Sequence, residues 1–435
     1  MMVPKTLLLL WLLIVSACQG QETLPYLAEE EQCVGLLGGT NVTVIFTANP
    51  GSNHGGVGEN YYLRQHLENA QNVTFPACWD AVHGTLYSSP VALVTTGEGP
   101  MVAELCVFQT LSCSKYIHEV LFFGTAGFSP RLGGILNPPE SCTPPEDQGT
   151  LVRFGDICIT NHAINWDCQG NPWASTAANW PNECSLAGNP NAPFEDVSED
   201  GSYASYRGWS CRVQDPGQAS ESLADELFAA RDELRVNVPP VGVQEYSQWF
   251  WGNTTAAINR TWSIDPAGTP TIFNRSQCAE VDTIFWWTGV PWDTQARGFV
   301  SYATGLGAPA NTTLAASAME GIGFLGALRL AQNITGIFIP YAIVRSSSDY
   351  TVNIPVYQAP NGTWLPGDPI SLPSSLESGG APVTVYAIQT GNDLILSMFR
   401  NREKTIAMTS DHHGTMISKH LQAVVMMIAT IIITL

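Results

Sequence analysis

The chain has 435 residues, with 18 Lys+Arg against 38 Asp+Glu and a formal net charge of −20. Such an excess of acid excludes a nucleic-acid polymer as partner, because no basic footprint is available to face phosphates. With 45% apolar and only 13% charged residues the chain can bury a core, and its 39 Gly and 29 Pro point to long loops rather than to a fibre.

Met1–Gly20 reads as a secretory signal, with Lys5 as the positive flank, Leu7–Val15 as the apolar run and small residues at Ser16, Ala17 and Gly20. Val15–Cys18 also fits a bacterial lipoprotein cleavage site. A membrane span is excluded for this run, since roughly 20 apolar residues are needed to cross a bilayer.

Continuous apolar runs bounded by turn residues predict buried parallel-type strands at Cys33–Leu37, Pro90–Thr95, Val120–Phe123, Ile157–Thr160, Val281–Trp287 and Gly336–Val344. Between the second and third, Met101–Ser112 is read as a helix opened by Pro100, with Met101, Leu105 and Phe108 on one face. Ser220–Arg235 is an amphipathic helix presenting Leu223, Leu227, Ala230 and Leu234, and Thr313–Ala331 is read as a long interior helix. Strands alternating with helices make the fold α/β. A single domain is expected over 21–405, interrupted by a Pro/Asn/Trp-rich insertion at about 161–280.

The spacer and tail at 411–435 end in Leu421–Leu435, fifteen uncharged residues, which resembles a lipid-anchor attachment signal with Ser410 or Gly414 as the attachment residue. A short tail span is the rival reading. Eight N-x-S/T acceptors, at Asn41, Asn72, Asn253, Asn259, Asn274, Asn311, Asn333 and Asn361, agree with secretion. So do the ten cysteines left after the signal, four of them between Cys142 and Cys184, where loops gain most from cross-links. Their pairing is not readable. No C-x2-C pair occurs, so no metal site is expected.

Ligands of open α/β sheets bind beyond the carboxyl ends of strands. Two Gly-rich stretches follow such ends, Thr95-Thr96-Gly97-Glu98-Gly99 and Gly124-Thr125-Ala126-Gly127, and offer N–H groups and hydroxyls to an anion or sugar oxygen; tight turns are the plainer reading. The last strand runs into Arg345-Ser346-Ser347-Ser348-Asp349, where a carboxyl at a buried exit suits a proton donor, or simply a turn. Glu320, flanked by Met319 and small residues, is read as mid-helix and facing a cavity.

With Gly155-Asp156-Ile157-Cys158-Ile159 and Ala318-Met319-Glu320-Gly321, these pieces resemble, in order, the nucleoside phosphorylase and nucleosidase superfamily, over about 33–160 and 281–400. Thr95–Gly99 is similar to the fungal purine-nucleoside permease branch, and secretion to the plant bark- and vegetative-storage-like branch. The resemblance implies a single α/β/α domain with a mixed central sheet. It also implies a purine nucleoside or nucleobase as small-molecule partner, and a homo-oligomer whose neighbour completes the sugar pocket, with His54 or His66 as contributors.

By the same resemblance, Asp349 positioned by Ser348 is the catalytic acid toward the base, Met319 and Glu320 hold the ribose, and Thr96, Gly97, Gly124 and Thr125 lie on the phosphate or nucleophile side. Trp292 is the candidate for base stacking. No cofactor is implied, inorganic phosphate being the co-substrate only of phosphorolytic members. Those members carry an arginine where Phe122 stands here, and hydrolytic members place a glutamate after the first strand, where Gly38-Gly39-Thr40 is read. The expected activity is cleavage of an N-glycosidic bond outside the cell, by phosphorolysis or hydrolysis. A non-catalytic binding, transport-associated or storage protein on the same fold is the alternative.

Overall fold

The computed structural model describes residues 30–51, 56–128, 131–132, 150–165, 217–234, 239–240, 243, 270–282, 314–350, 356–358, 364–366 and 381–434. Most of the expected insertion, the signal segment and Trp292 lie outside the described residues.

The elements in chain order are α1 (Glu30–Leu37), β1 (Val42–Thr47), α2 (Tyr61–His66), β2 (Glu68–Val73), β3 (Asp80–Leu86), β4 (Ser89–Thr95), α3 (Pro100–Leu111) and β5 (Ile117–Phe128). They continue with β6 (Ile157–Thr160), β7 (Ala163–Asn165), α4 (Gly217–Ala229), β8 (Ile272–Phe273), β9 (Cys278–Asp282), β10 (Leu314–Ala318), α5 (Gly321–Thr335), β11 (Tyr341–Tyr350) and α6 (Ala381–Thr434). Two short two-stranded ribbons, Arg131–Leu132 with Thr150–Leu151 and Val356–Gln358 with Trp364–Pro366, stand apart from the sheet.

The eleven strands form one mixed sheet in the order β8-β6-β11-β5-β1-β4-β3-β2, with β10 joining the far end of β5 and β9 and β7 following it. Its centre, β11-β5-β1-β4, is parallel. Both faces of these strands are buried, so alternation splits their side chains between two cores. Val44, Phe46, Val120 and Phe122 pack with α1, α3 and α5, whereas Ile45, Leu121 and Phe123 pack with α2, α4 and α6. The result is the expected three-layer α/β/α arrangement.

Several expectations need correction. Cys33–Leu37 is helix rather than strand, and the first strand is Val42–Thr47. Gly38 turns the chain between them at φ +74, where a Cβ would lie 2.2 Å from His83 Nδ1. Residues 314–318 are strand, not the start of a helix, because they pair in register with β9. Helix α3 starts at Pro100 as read, but it buries Ala103, Cys106, Val107 and Leu111 and leaves Met101 74% and Leu105 62% exposed. The helix is apolar on most sides, so periodicity does not select a face. The Cys78–Cys106 disulfide does.

Two further disulfides, Cys33–Cys113 and Cys158–Cys278, tie α1 to the segment after α3, and β6 to β9. Among the described residues no helix is long and apolar enough to cross a membrane.

Helices α3 and α5 meet so closely that a Cβ on Gly323 would lie 2.1 Å from the Pro100 carbonyl oxygen, a backbone atom that cannot step aside. Gly323→Ala is therefore expected to lower stability by about 1–3 kcal/mol despite its better helix propensity, as measured by urea unfolding; an unchanged midpoint would refute this packing.

Candidate functional site

The carboxyl ends of β1, β4, β5 and β11 converge, and β5 is the axis of the site. On one side its residues Gly124, Thr125, Ala126 and Gly127 pair with Arg345, Ser346, Ser347 and Asp349 of β11. On the other side Gly127 pairs with Ser317 of β10, three residues before Glu320. Asp349 and the segment bearing Glu320 thus flank the same strand end.

Ser348 is the extra residue of a bulge in β11, between Ser347 and Asp349. Bulges re-aim side chains at strand ends. Here the Ser348 hydroxyl lies 3.4 Å from both the Ala126 carbonyl and Asp349 Oδ1, long contacts that hold the carboxyl only weakly. Burial pushes the Asp349 carboxyl up to about 7, against the smaller opposing effect of Ser348. The acid is therefore part-protonated near neutrality, as a proton donor requires. Asp156 braces the bulge from behind: its carbonyl accepts the Ser347 N–H at 2.8 Å, and Ser347 in turn accepts the Gly155 N–H. Burial also raises Asp156 to about 7, although its carboxylate accepts the N–H groups of Arg153 and Thr271.

Across β5 lies a buried charge cluster that local patterns do not reveal. Arg345 is fully buried, donating to Glu280 through Nε at 3.0 Å and Nη2 at 2.6 Å, and to Glu320 Oε2 through Nη2 at 3.3 Å. Its guanidinium stands 4.9 Å from the Phe122 ring centroid and fills the space above Gly124, where a Cβ would come within 2.1 Å of Nη1. A guanidinium from the neighbouring strand thus stands beside the Phe122 ring at this strand end.

Glu280 and Asp282 alternate on β9, so both face one side. Glu280 accepts the Gly321 N–H at 3.1 Å and Asp282 the Ile322 N–H at 2.6 Å, capping α5. Glu320 is not mid-helix, as the sequence suggests, but occupies the N-cap position of α5. Its Oε1 accepts the Gly99 N–H at 3.1 Å, at the start of α3. The carboxyls of Glu320 and Asp282 are both raised, chiefly by burial, with Arg345 opposing. Met319 beside Glu320 is half-buried.

Glu59 was not singled out from the sequence, and no pattern around Gly58-Glu59-Asn60 marks it. Its Oε2 accepts the N–H groups of Ala48 and Asn49 at 2.8 and 2.9 Å, and its Oε1 those of Thr125 N–H and Oγ at 2.7 and 3.2 Å. A glutamate therefore does stand at the end of the first strand, but its bonding capacity is used in tying β1 to β5. Burial raises it as well.

The expected anion cradle needs correction. Gly124–Gly127 is strand, not turn. The N–H groups of Thr96 and Gly97 go to the carbonyls of Thr47 and Ala48, and the Thr96 hydroxyl turns to the Gly97 carbonyl at 2.7 Å. Gly99 and Thr125 are bound to Glu320 and Glu59, so these donors are already taken by the protein. His66, exposed, bonds the Tyr62 carbonyl through Nδ1, and His54 lies outside the described residues. Among the described residues no cluster suits a metal ion.

No protein-family model and no curated protein matches the chain. Solved structures that it is similar to include the 5'-methylthioadenosine/S-adenosylhomocysteine nucleosidase of Colwellia psychrerythraea 34H in complex with adenine, at 16% identity over 83% of this chain and 95% of that one, TM-score 0.42. Others are futalosine hydrolase of Helicobacter pylori (11%, 83% and 98%, TM-score 0.43) and purine nucleoside phosphorylase of Toxoplasma gondii with immucillin-H (11%, 85% and 94%, TM-score 0.39).

Asp349 and Asp156 hold their protons up to about 7 in the fold, against 3.8 for the ordinary carboxyl. The folded state therefore binds more protons between those values, so the stability they contribute is complete below about 3.8 and is lost as pH rises to about 7. Melting temperature is expected to fall between pH 5 and 8, with a shallower slope in Asp349→Asn. A melting temperature that rises over that interval would contradict the burial of these groups.

Proposed function

We propose that this protein hydrolyses the N-glycosidic bond of purine nucleosides outside the cell. The reading rests on one observation above the others, the placing of Asp349 by a bulge at a strand end whose opposite flank carries Glu320; burial raises the Asp349 carboxyl, which suits it to donate a proton. Asp349 gives its proton to N7 of the base as the C1'–N9 bond breaks, and the bonding electrons leave with the base. Glu320 keeps lone pairs beyond its bonds to Gly99 and Arg345, and these accept the ribose hydroxyls, with Met319 against the sugar. Water adds to C1', and the proton that it sheds restores Asp349 through solvent. Nucleoside plus water thus becomes ribose plus free base.

Water rather than phosphate is favoured by the surroundings of Arg345. Its Nε and Nη2 are engaged by Glu280 and Glu320, so the guanidinium is not free to clamp an entering phosphate dianion through two parallel bonds. The secretory signal, the sequons and the three disulfides support the extracellular setting. One observation favours a binding protein on the same fold: Glu59, the carboxylate at the end of β1, has no lone pair left to activate water.

Protein purified from a secretory host is to be incubated with inosine, adenosine and guanosine, with and without phosphate, and free base assayed. Release at the same rate in both is expected. A strict phosphate requirement would mean phosphorolysis, and thermal stabilisation by nucleoside without release would mean binding alone. Asp349→Asn should reduce kcat by about 10²–10⁴-fold while nucleoside still raises the melting temperature; unchanged turnover removes Asp349 from the mechanism. Glu320→Gln should weaken ribosides at least tenfold more than free bases, and equal losses would contradict a sugar role.

A further inference from the structure

The long helix α6 runs against the direction of the central strands. Near its start, Thr390 Oγ meets Ser346 Oγ at 3.0 Å, Gly391 lies against Phe123, and Asn392 donates to the Glu59 carbonyl at 2.8 Å. All three contacts are near the carboxyl ends of β5 and β11. Later, Arg402 grips Glu119 and Glu226, each through two nitrogens, and Glu403 accepts the Ser88 hydroxyl at 3.0 Å. Glu119 lies near the start of β5, and Ser88 immediately precedes β4. A groove of about 620 Å³ at this end is lined by Asn41, Thr43, Ser89, His118, Arg402 and Thr405, where β1, β4 and β5 begin.

Beyond this grip the helix leaves the domain. Ile406 and Met408 are 62% and 70% exposed, and the helix continues to Thr434 through the uncharged stretch that begins at Leu421. The candidate site, at Gly124–Gly127 and Arg345–Asp349, is at the other end of the same strands.

We propose that the amino-end face of the sheet is the membrane-facing surface of this protein, with α6 as the tether and the candidate site turned away from lipid. The partner is a lipid bilayer, reached either by the apolar stretch itself, inserted into one leaflet without crossing, or by a glycolipid exchanged for it at Ser410 or Gly414. Both routes leave from the same face, so the orientation is common to them, and it does not depend on the reaction assigned above.

The geometry suits the charge. From Arg402 to Ser410 the helix advances ~12 Å, more than the ~8 Å over which physiological salt screens charge. A body of net charge −20 is thereby held clear of anionic headgroups. Along β5, Glu119 and Gly127 are ~26 Å apart, so the site lies that much farther from the bilayer. The four bonds from Arg402 fix the helix to the domain; burial opposes the charge on that guanidinium, and Glu226 and Glu119 together outweigh it and raise its pKa.

The full chain, with its signal, is expressed in a secretory eukaryotic cell as Ser88→Cys or Met101→Cys, two exposed positions at opposite ends of the strands. Each is labelled with a donor fluorophore, and energy transfer to an acceptor dye in the membrane is measured. The Ser88 label should transfer several-fold more strongly; equal or reversed transfer overturns the orientation. Deleting residues 421–435 should release the chain to the medium, whereas membrane retention of that variant, or complete secretion of the full chain, overturns the tether. Release of the full chain by phosphatidylinositol-specific phospholipase C supports a tether of glycolipid; resistance to it, with loss on deletion, supports one of inserted helix.

Discussion

The ion pair between Arg345 and Glu280 is the constraint around which the strand ends are arranged. Both side chains are fully buried, and taking two charges out of water costs several kcal/mol before their attraction is counted. Such a pair is not a device for stability. It is kept in place by what else it touches: Glu280 also caps α5 at Gly321, and Arg345 also holds Glu320, which reaches the start of α3. A carboxylate at a helix N-terminus is favoured by the helix dipole and by unsatisfied N–H groups. Two helices and three strands are thus locked to a common point. Glycine at 124 and 321 is required by the same cluster, because a Cβ at either position would overlap Arg345 or Glu280.

This lock decides where Glu320 can go. Bound on one oxygen by Arg345 and on the other by Gly99, its carboxylate is fixed in orientation. Asp349 is half-buried and accepts one long contact from Ser348. The same strand end therefore presents one carboxyl that is held on both oxygens and one that is loosely held, and burial raises both.

Much of the scaffold was legible in the sequence, and the reasons for the exceptions are local. Ile157–Thr160 is strand over the whole predicted span, and Ser89–Thr95 is read to within one residue, because a continuous apolar run between turn residues is a strong signal. Cys33–Leu37 is too short for its apolar content to separate helix from strand, whereas Thr43 and Thr47 interrupt the true first strand although both are buried. In the site, Glu320 and Asp349 stood out because each lies among small or hydroxyl residues. The partners of the lock did not, since Glu280 and Arg345 are 65 residues apart and Glu59 and Thr125 are 66 apart. The local signal that could have found them is the alternation of Glu280 and Asp282 within an apolar run, which sets both carboxyls on one face of β9.

Electrostatics on two scales bears on which co-substrate the proposed site would admit. Locally, Nε and Nη2 of Arg345 are engaged by Glu280 and Glu320, so its fork is not open to clamp an anion, and the N–H groups of the glycine-rich segment are spent on backbone and carboxylate acceptors. Over the whole molecule, a net charge of −20 builds a negative potential that lowers the local concentration of phosphate at low salt. A neutral nucleoside and water feel neither effect. Raising ionic strength screens the long-range part but leaves the buried part intact, since a desolvated cluster is screened far less than surface charge. In the proposed site the local arrangement would therefore act at any ionic strength, and the overall charge only in dilute salt.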